Sequence, residues 1–240
     1  MKIEGRNAVS ELVKRSAKIE KIYIETGLNN PESKKLAEEI KKLGVRVCFL
    51  PKTAMDKESE THRHQGFIAV TEDYKYADFT DVIEKAKDKD GFIIALDGIS
   101  DPHNLGSIIR VAECVGADGV IITKDRCCPV NETVIRVSEG GTSYVKIARV
   151  TNLTVTLNTL KDNGYWVTGA ELGGENLYNA DLTGKTVIVI GGEDTGLRRL
   201  TKDVCDRIVT IPMAGKVNSL NASVACAVVA FEAQRQRTLK

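Results

Sequence analysis

Three short, unbroken apolar runs constrain the fold more than anything else in this chain. They are Phe92-Ile93-Ile94-Ala95-Leu96, Gly119-Val120-Ile121-Ile122 and Thr186-Val187-Ile188-Val189-Ile190. A strand with one wet face alternates apolar and polar residues, whereas a run without alternation must be covered on both faces. Trp166-Val167-Thr168-Gly169-Ala170 and Arg207-Ile208-Val209-Thr210-Ile211 read as further strands. Helical patterns at about 104–116, 131–139, 152–163, 197–203 and 219–237 separate or follow these strands. Strands alternating with helices imply a largely parallel sheet, with ligands at the carboxyl ends of its strands. An α/β domain over residues 91–240 is the expectation.

The first seventy residues carry a smaller α/β pattern. Ala8, Leu12 and Val13 share a helical face within 6–14, and Lys21-Ile22-Tyr23-Ile24-Glu25 reads as a strand. Pro31 opens a helix with Leu36, Ile40 and Leu43 on one side, which Gly44 stops. Strands at 45–49 and 66–70 flank Pro51 and a short helix. Residues 71–90, rich in Asp, Lys, Tyr and Glu, read as a linker with at most one short helix at 80–86.

Charge excludes one class of partner surface. The net charge is +1, too small for a strongly basic nucleic-acid coat. Residues 1–70 nevertheless hold 14 Lys/Arg against 10 Asp/Glu, while residues 91–240 hold 16 against 16. A mildly basic front module permits a local RNA-facing surface without demanding one. No segment approaches the roughly 18–20 apolar residues of a membrane span. Met1-Lys2-Ile3-Glu4-Gly5-Arg6 lacks the apolar core of a secretory signal, so a cytoplasmic protein is expected. Cys48, Cys114, Cys127, Cys128, Cys205 and Cys226 form no C-x-x-C pair, and reduced thiols are expected.

Common nucleotide and metal motifs fail on spacing. No G-x-G-x-x-G occurs, and Gly184-Lys185-Thr186 has Asn179 where a phosphate-binding loop needs its first glycine. His62-Arg63-His64 lacks further ligands nearby, so no metal site is expected.

Three segments place polar residues in otherwise structural positions. Asp97 to His103 leads into a helix near Asn104, whose Arg110 lies opposite the apolar face of Leu105, Ile108, Ile109 and Ala112. Taken alone, Asn104 is a helix cap and Arg110 a solvated charge. Gly191-Gly192-Glu193-Asp194-Thr195-Gly196-Leu197 is either a plain turn or a close backbone approach to a ligand. Ile211-Pro212-Met213 runs on to Ser219-Leu220-Asn221-Ala222-Ser223 at a helix start, with small residues following.

In this order and spacing, the three segments resemble the SpoU branch of the SPOUT methyltransferases, which methylate RNA ribose 2′-hydroxyls with S-adenosylmethionine. Glu4-Gly5-Arg6-Asn7-Ala8-Val9 and His64-Gln65-Gly66 resemble that branch's substrate-binding domain, which is similar to ribosomal protein L30e. The resemblance implies an L30e-like RNA-binding module at 1–70, a linker at 71–90, and a SPOUT domain at 91–240 with a C-terminal deep trefoil knot. It implies S-adenosylmethionine as cofactor, held by Gly191, Ile211 and Leu220, with Gly192, Thr168 and Gly169 in comparable loops. Asn104, Arg110, Glu193, Ser219 and Asn221 match the residues assigned to catalysis or RNA positioning. It also implies a homodimer through the catalytic domain and RNA as partner, with a guanosine of 23S rRNA as the leading target. Transfer RNA, an rRNA adenosine whose methylation gives antibiotic resistance, and a non-catalytic RNA-binding role are the alternatives.

Overall fold

The sixth strand of the main sheet is the element that periodicity does not announce. In the computed structural model, which describes residues 1–14, 19–59, 62–87, 89–193, 195–216 and 219–239, the chain forms two compact units, Met1–Tyr74 and Lys75–Lys240.

The first unit contains β1 (Lys2–Glu4), α1 (Arg6–Lys14), β2 (Ile19–Glu25), α2 (Pro31–Lys42), β3 (Arg46–Leu50), α3 (Lys52–Glu58) and β4 (Phe67–Thr71). Its sheet runs β1-β4-β2-β3, with β2 and β3 parallel and β4 antiparallel to both its neighbours. Ile3, Val9, Ile22, Ile24, Ile40 and Phe67 fill its core. Asn30 caps α2 by accepting the Glu32 amide at 2.9 Å, and Gly44 leaves the helix at φ +72°.

The second unit contains α4 (Phe79–Glu84), β5 (Phe92–Asp97), α5 (Pro102–Cys114), β6 (Gly119–Thr123), α6 (Glu132–Val137), α7 (Gly141–Tyr144) and β7 (Lys146–Val150). It continues through α8 (Leu153–Asp162), β8 (Trp166–Asn176), β9 (Thr186–Gly191), α9 (Arg199–Val204), β10 (Arg207–Thr210) and α10 (Ala222–Thr238). The sheet order is β10-β8-β9-β5-β6-β7, every neighbour parallel. All residues of β5 and β6 are buried, as their unbroken apolar runs require.

Four differences from the sequence-based expectations have physical causes. Strand β7 sits at a sheet edge, so it buries Ile147 and Ala148 while Lys146 and Arg149 remain partly exposed, and no apolar run marks it. Strand β8 runs to Asn176 rather than stopping at 170. Its partner β10 skips register between Ile208, opposite Gly169, and Val209, opposite Glu175, which leaves 170–174 bulged out of the ladder. The last helix begins at Ala222, with Asn221 as its cap accepting the Ser223 and Val224 amides at 2.9 and 3.4 Å; Ser219 precedes it. Finally, the 71–90 segment is split between the two units. Its α4 contributes Val82 to the core of the second unit, and Ala86 follows it there.

Candidate active site

Strand β5 is the branch point of the sheet: the chain continues from it to β6 on one side, while β9 lies on the other. Such a reversal opens a crevice beyond the carboxyl ends of the strands. On the β9 side a cavity of about 270 Å³ opens between the bulge of β8, the ends of β9 and β10 and the start of α10. That is near the lower end of small-molecule pockets, roughly 300 Å³.

Two glycines make its wall thin. A Cβ on Gly191 would lie 2.2 Å from the Gly196 carbonyl carbon, and one on Gly192 would lie 2.6 Å from Gly98 O. No side chain fits at either position. The loop closes on itself where the Gly196 amide donates to Gly192 O at 2.9 Å, and the Gly192 amide donates to Asp97 O at 3.0 Å.

The three polar segments meet at one amide. Asn104 lies in the first turn of α5 and is buried, but it does not cap the helix; Asp101 does, accepting the His103 amide at 2.8 Å. That leaves the Asn104 side chain free to donate through Nδ2 to Glu193 Oε1 and to accept Asn221 Nδ2 at 3.0 Å. A buried amide satisfied at both ends fixes its neighbours' orientation.

Six of the eleven residues singled out from sequence line the cavity: Gly191, Gly192, Glu193, Ile211, Ser219 and Leu220. Asn104 and Asn221 join through the hydrogen bonds just described. Arg110 stands apart on exposed α5 surface, its Nη1 3.1 Å from Glu139 Oε1. Thr168 and Gly169 lie within the ladder of β8, paired with Ile188 and Val189. Thr168 is buried, and a Cβ on Gly169 would press on Leu197, Ile208 and Cys205; neither is among the residues that line the cavity.

Sequence reasoning missed Glu171, Leu172 and Met213, which also line the cavity. The bulge of β8 brings the first two there. Thr210 Oγ1 pins it by donating to Glu171 O at 2.7 Å and accepting the Gly174 amide at 2.7 Å. The signal is Gly173-Gly174 just past the expected strand end at Ala170, a pattern that often marks a bulge.

The chemistry available is narrow. Burial pushes the Cys205 and Cys226 thiols up to about 12, which keeps both protonated near neutrality and poor as nucleophiles. Among the described residues no cluster of His, Cys, Asp and Glu could hold a metal ion. The cavity is lined by apolar side chains, by Gly191, Gly192 and Gly196, and by the acidic residues Glu171 and Glu193. Flat aromatic rings suit the first two, and a cationic centre suits the last.

Residues 91–231 match the SpoU rRNA Methylase family, and residues 2–77 match the family of RNA 2′-O ribose methyltransferase substrate-binding domains. A Staphylococcus haemolyticus protein described as a TrmH-family tRNA/rRNA methyltransferase is 42% identical over 98% of this chain and 95% of its own. The Bacillus subtilis relative YacO, given the same description, is 39% identical over 97% of this chain and 94% of its own. Among solved structures, the SpoU methyltransferase AviRb from Streptomyces viridochromogenes, crystallised with AdoMet, aligns at a TM-score of 0.66. Identity is 22%, with 100% of this chain and 91% of that chain covered. At that identity the likeness speaks for the fold.

Proposed function

The chain belongs to the SpoU methylase family, and from that premise we propose that it transfers a methyl group from S-adenosylmethionine to a ribose 2′-hydroxyl of RNA, with a guanosine of 23S rRNA as the target. The observation that carries this reading is the Asn104 amide, which joins Glu193 and Asn221 beside the cavity. The cavity fits the cofactor's chemistry. Ile190, Ile211 and Leu220 offer apolar contact to an adenine, glycine backbone lies beside them for its polar edge, and Glu171 and Glu193 line the same space as counter-charges to a sulfonium.

The sulfonium supplies an already activated methyl group. What the chain must add is orientation of the hydroxyl in line with that methyl, and help in removing its proton. Asn104, Glu193 and Asn221 hold the loop and the start of α10 in a fixed relation. Ser219 orders the segment ahead of that helix. Arg110 serves as a cation that holds an RNA phosphate and lowers the hydroxyl's pKa through its field. Use of Arg110 as a base is disfavoured, because a guanidinium in a protein holds its proton and offers only N–H donors. Thr168 and Gly169 support the cavity from behind by packing.

The same reading makes the chain a homodimer. Val224 and Phe231, seven residues apart on one face of α10, are both about half exposed, and a second copy would cover them. It also makes the path from β9 to α10 a trefoil knot, a reading supported by Gly191 and Gly192 lining one cavity with Ile211, Ser219 and Leu220. Residues 1–70 recruit the RNA, and the protein works in the cytoplasm, where its RNA is. Among the described residues no helix is long and apolar enough to cross a membrane.

The test is a map of 2′-O-methyl sites in rRNA and tRNA from cells with and without the gene. Loss of one guanosine methyl in 23S rRNA is expected. Loss confined to tRNA would retain the enzyme and overturn the target.

A further inference from the structure

The loop that walls the cavity leaves it between two carboxylates. Glu171 Oε2 accepts the Leu197 amide at 2.8 Å, and Asp97 Oδ2 accepts the next amide, that of Arg198, at 3.0 Å. The two acids come from β8 and β5, the strands on either side of β9, so the loop exit is held from both flanks. Each acid also meets a cation just downstream: Arg198 Nε donates to Asp97 Oδ1 at 2.5 Å, and Lys202 Nζ lies 3.3 Å from Glu171 Oε2. The Asp97 side chain is 0% exposed and that of Glu171 18%. Burying a carboxylate is unfavourable unless it is paired and hydrogen-bonded, so a fully buried Asp97 and a largely buried Glu171 on one turn are more than an ordinary surface loop needs.

Asp97 grips both ends of the loop. Its carbonyl takes the Gly192 amide at the entrance, and its carboxylate takes Arg198 at the exit. Between these points lies Glu193, which reaches Asn104.

We propose that Asp97 and Glu171 are positioning residues that hold the 192–197 loop so that Glu193 meets Asn104 and the cavity keeps its shape. Asp97 is absent from the cavity lining and acts only through the loop; Glu171 lines the cavity as well. The ligand in this inference rests on the function proposed above, but the clamp itself does not.

The experiment uses the full chain with Asp97→Asn and Glu171→Ala. Asparagine offers one side-chain acceptor where two are in use, so either the Arg198 amide or its guanidinium loses its partner. The first readout, without ligand, is amide hydrogen exchange at Leu197 and Arg198, expected to quicken about tenfold or more in the matching variant while circular dichroism stays unchanged. The second is S-adenosylmethionine titration, with the dissociation constant rising about tenfold. The third compares kcat for Glu193→Gln alone and combined with Asp97→Asn. If Asp97 acts through Glu193, the double variant is no slower than Glu193→Gln, whereas a general structural role gives multiplying losses.

Unchanged exchange at both amides, or wild-type cofactor affinity in both variants, overturns the clamp. Quickened exchange in a protein whose wild type binds no S-adenosylmethionine overturns the proposed function and leaves the clamp standing. Should Asp97→Asn fail to fold, Glu171→Ala, at a partly exposed site, carries the ligand-free exchange arm alone, and unchanged exchange at Leu197 overturns the clamp.

Discussion

Asn221 donates from Nδ2 to Asn104 Oδ1 at 3.0 Å across 117 residues of sequence. The two asparagines differ in what else they do. Asn221 also caps α10, whereas α5 is capped by Asp101 and owes Asn104 nothing at its terminus. Asn104→Ala should therefore cost only about 1–2 kcal/mol of stability, for two side-chain hydrogen bonds. Asn221→Ala should cost about 1 kcal/mol more, for the lost cap. Methyl transfer should fall about a hundredfold in both if the network holds the reactive geometry. Denaturant unfolding beside steady-state kinetics checks the separation.

Arg110 is 53% exposed and pairs with Glu139, away from the cavity-lining residues. Arg110→Ala should abolish methyl transfer and leave the dissociation constant for S-adenosylmethionine within about twofold of wild type, since no cofactor contact is removed. Comparable loss of binding and activity would contradict this placement. Arg110→Lys separates roles: a phosphate held by two parallel N–H groups tolerates lysine poorly, whereas a base would gain from lysine's lower pKa.

The boundary between units sets where the chain can be cut. A chain starting at Lys75 keeps Tyr76, whose hydroxyl accepts the Val130 amide at 2.8 Å, and Ala77, whose amide donates to Ile147 O at 2.9 Å. It also keeps the fully buried Val82 and Ala86. It should fold and bind S-adenosylmethionine while losing most RNA methylation and part of the salt dependence of RNA binding. A chain starting at residue 88 exposes the surface beneath Val82 and should be less stable by about 2–4 kcal/mol. Thermal unfolding of both fragments checks the difference, and full RNA activity in the 75–240 fragment would place RNA selection in the second unit.

Alkaline pH should weaken the fold through Cys226. Burial raises its thiol to about 12 from an ordinary 9.0. Between those values the unfolded chain releases the proton and the folded chain retains it, so the contribution is fully present below pH 9 and is lost as pH rises toward 12. The stability difference between wild type and Cys226→Ala should be constant from pH 7 to about 8.5 and then shrink steadily. A difference that stays flat to pH 11 would mean the thiol titrates normally.

Much of the fold was legible because burial on both faces leaves an unbroken apolar run, as in β5, β6 and β9. Strand β7 was not, since an edge needs only Ile147 and Ala148 inside and tolerates Lys146 and Arg149. The bulge of β8 leaves only Gly173-Gly174 as a local hint, because its cause is a register skip opposite Ile208 and Val209, a long-range event. At the site, Asn104, Glu193 and Asn221 were singled out by resemblance; nothing local shows that residues 89 and 117 positions apart share one amide. Asp97 was passed over because a carboxylate ending an apolar strand reads as a turn residue until its partner, Arg198, is seen.

We propose that the cavity beside Asn104 serves methyl transfer to a ribose hydroxyl. Its most direct test is incubation of the purified full-length protein with isotope-labelled S-adenosylmethionine and unmodified 23S rRNA, followed by digestion to nucleosides and mass spectrometry. The expected result is label in 2′-O-methylguanosine from one site, reduced about a hundredfold with Asn104→Ala. Label in a base-methylated nucleoside, or no transfer to any RNA by a protein that binds the cofactor, would contradict it.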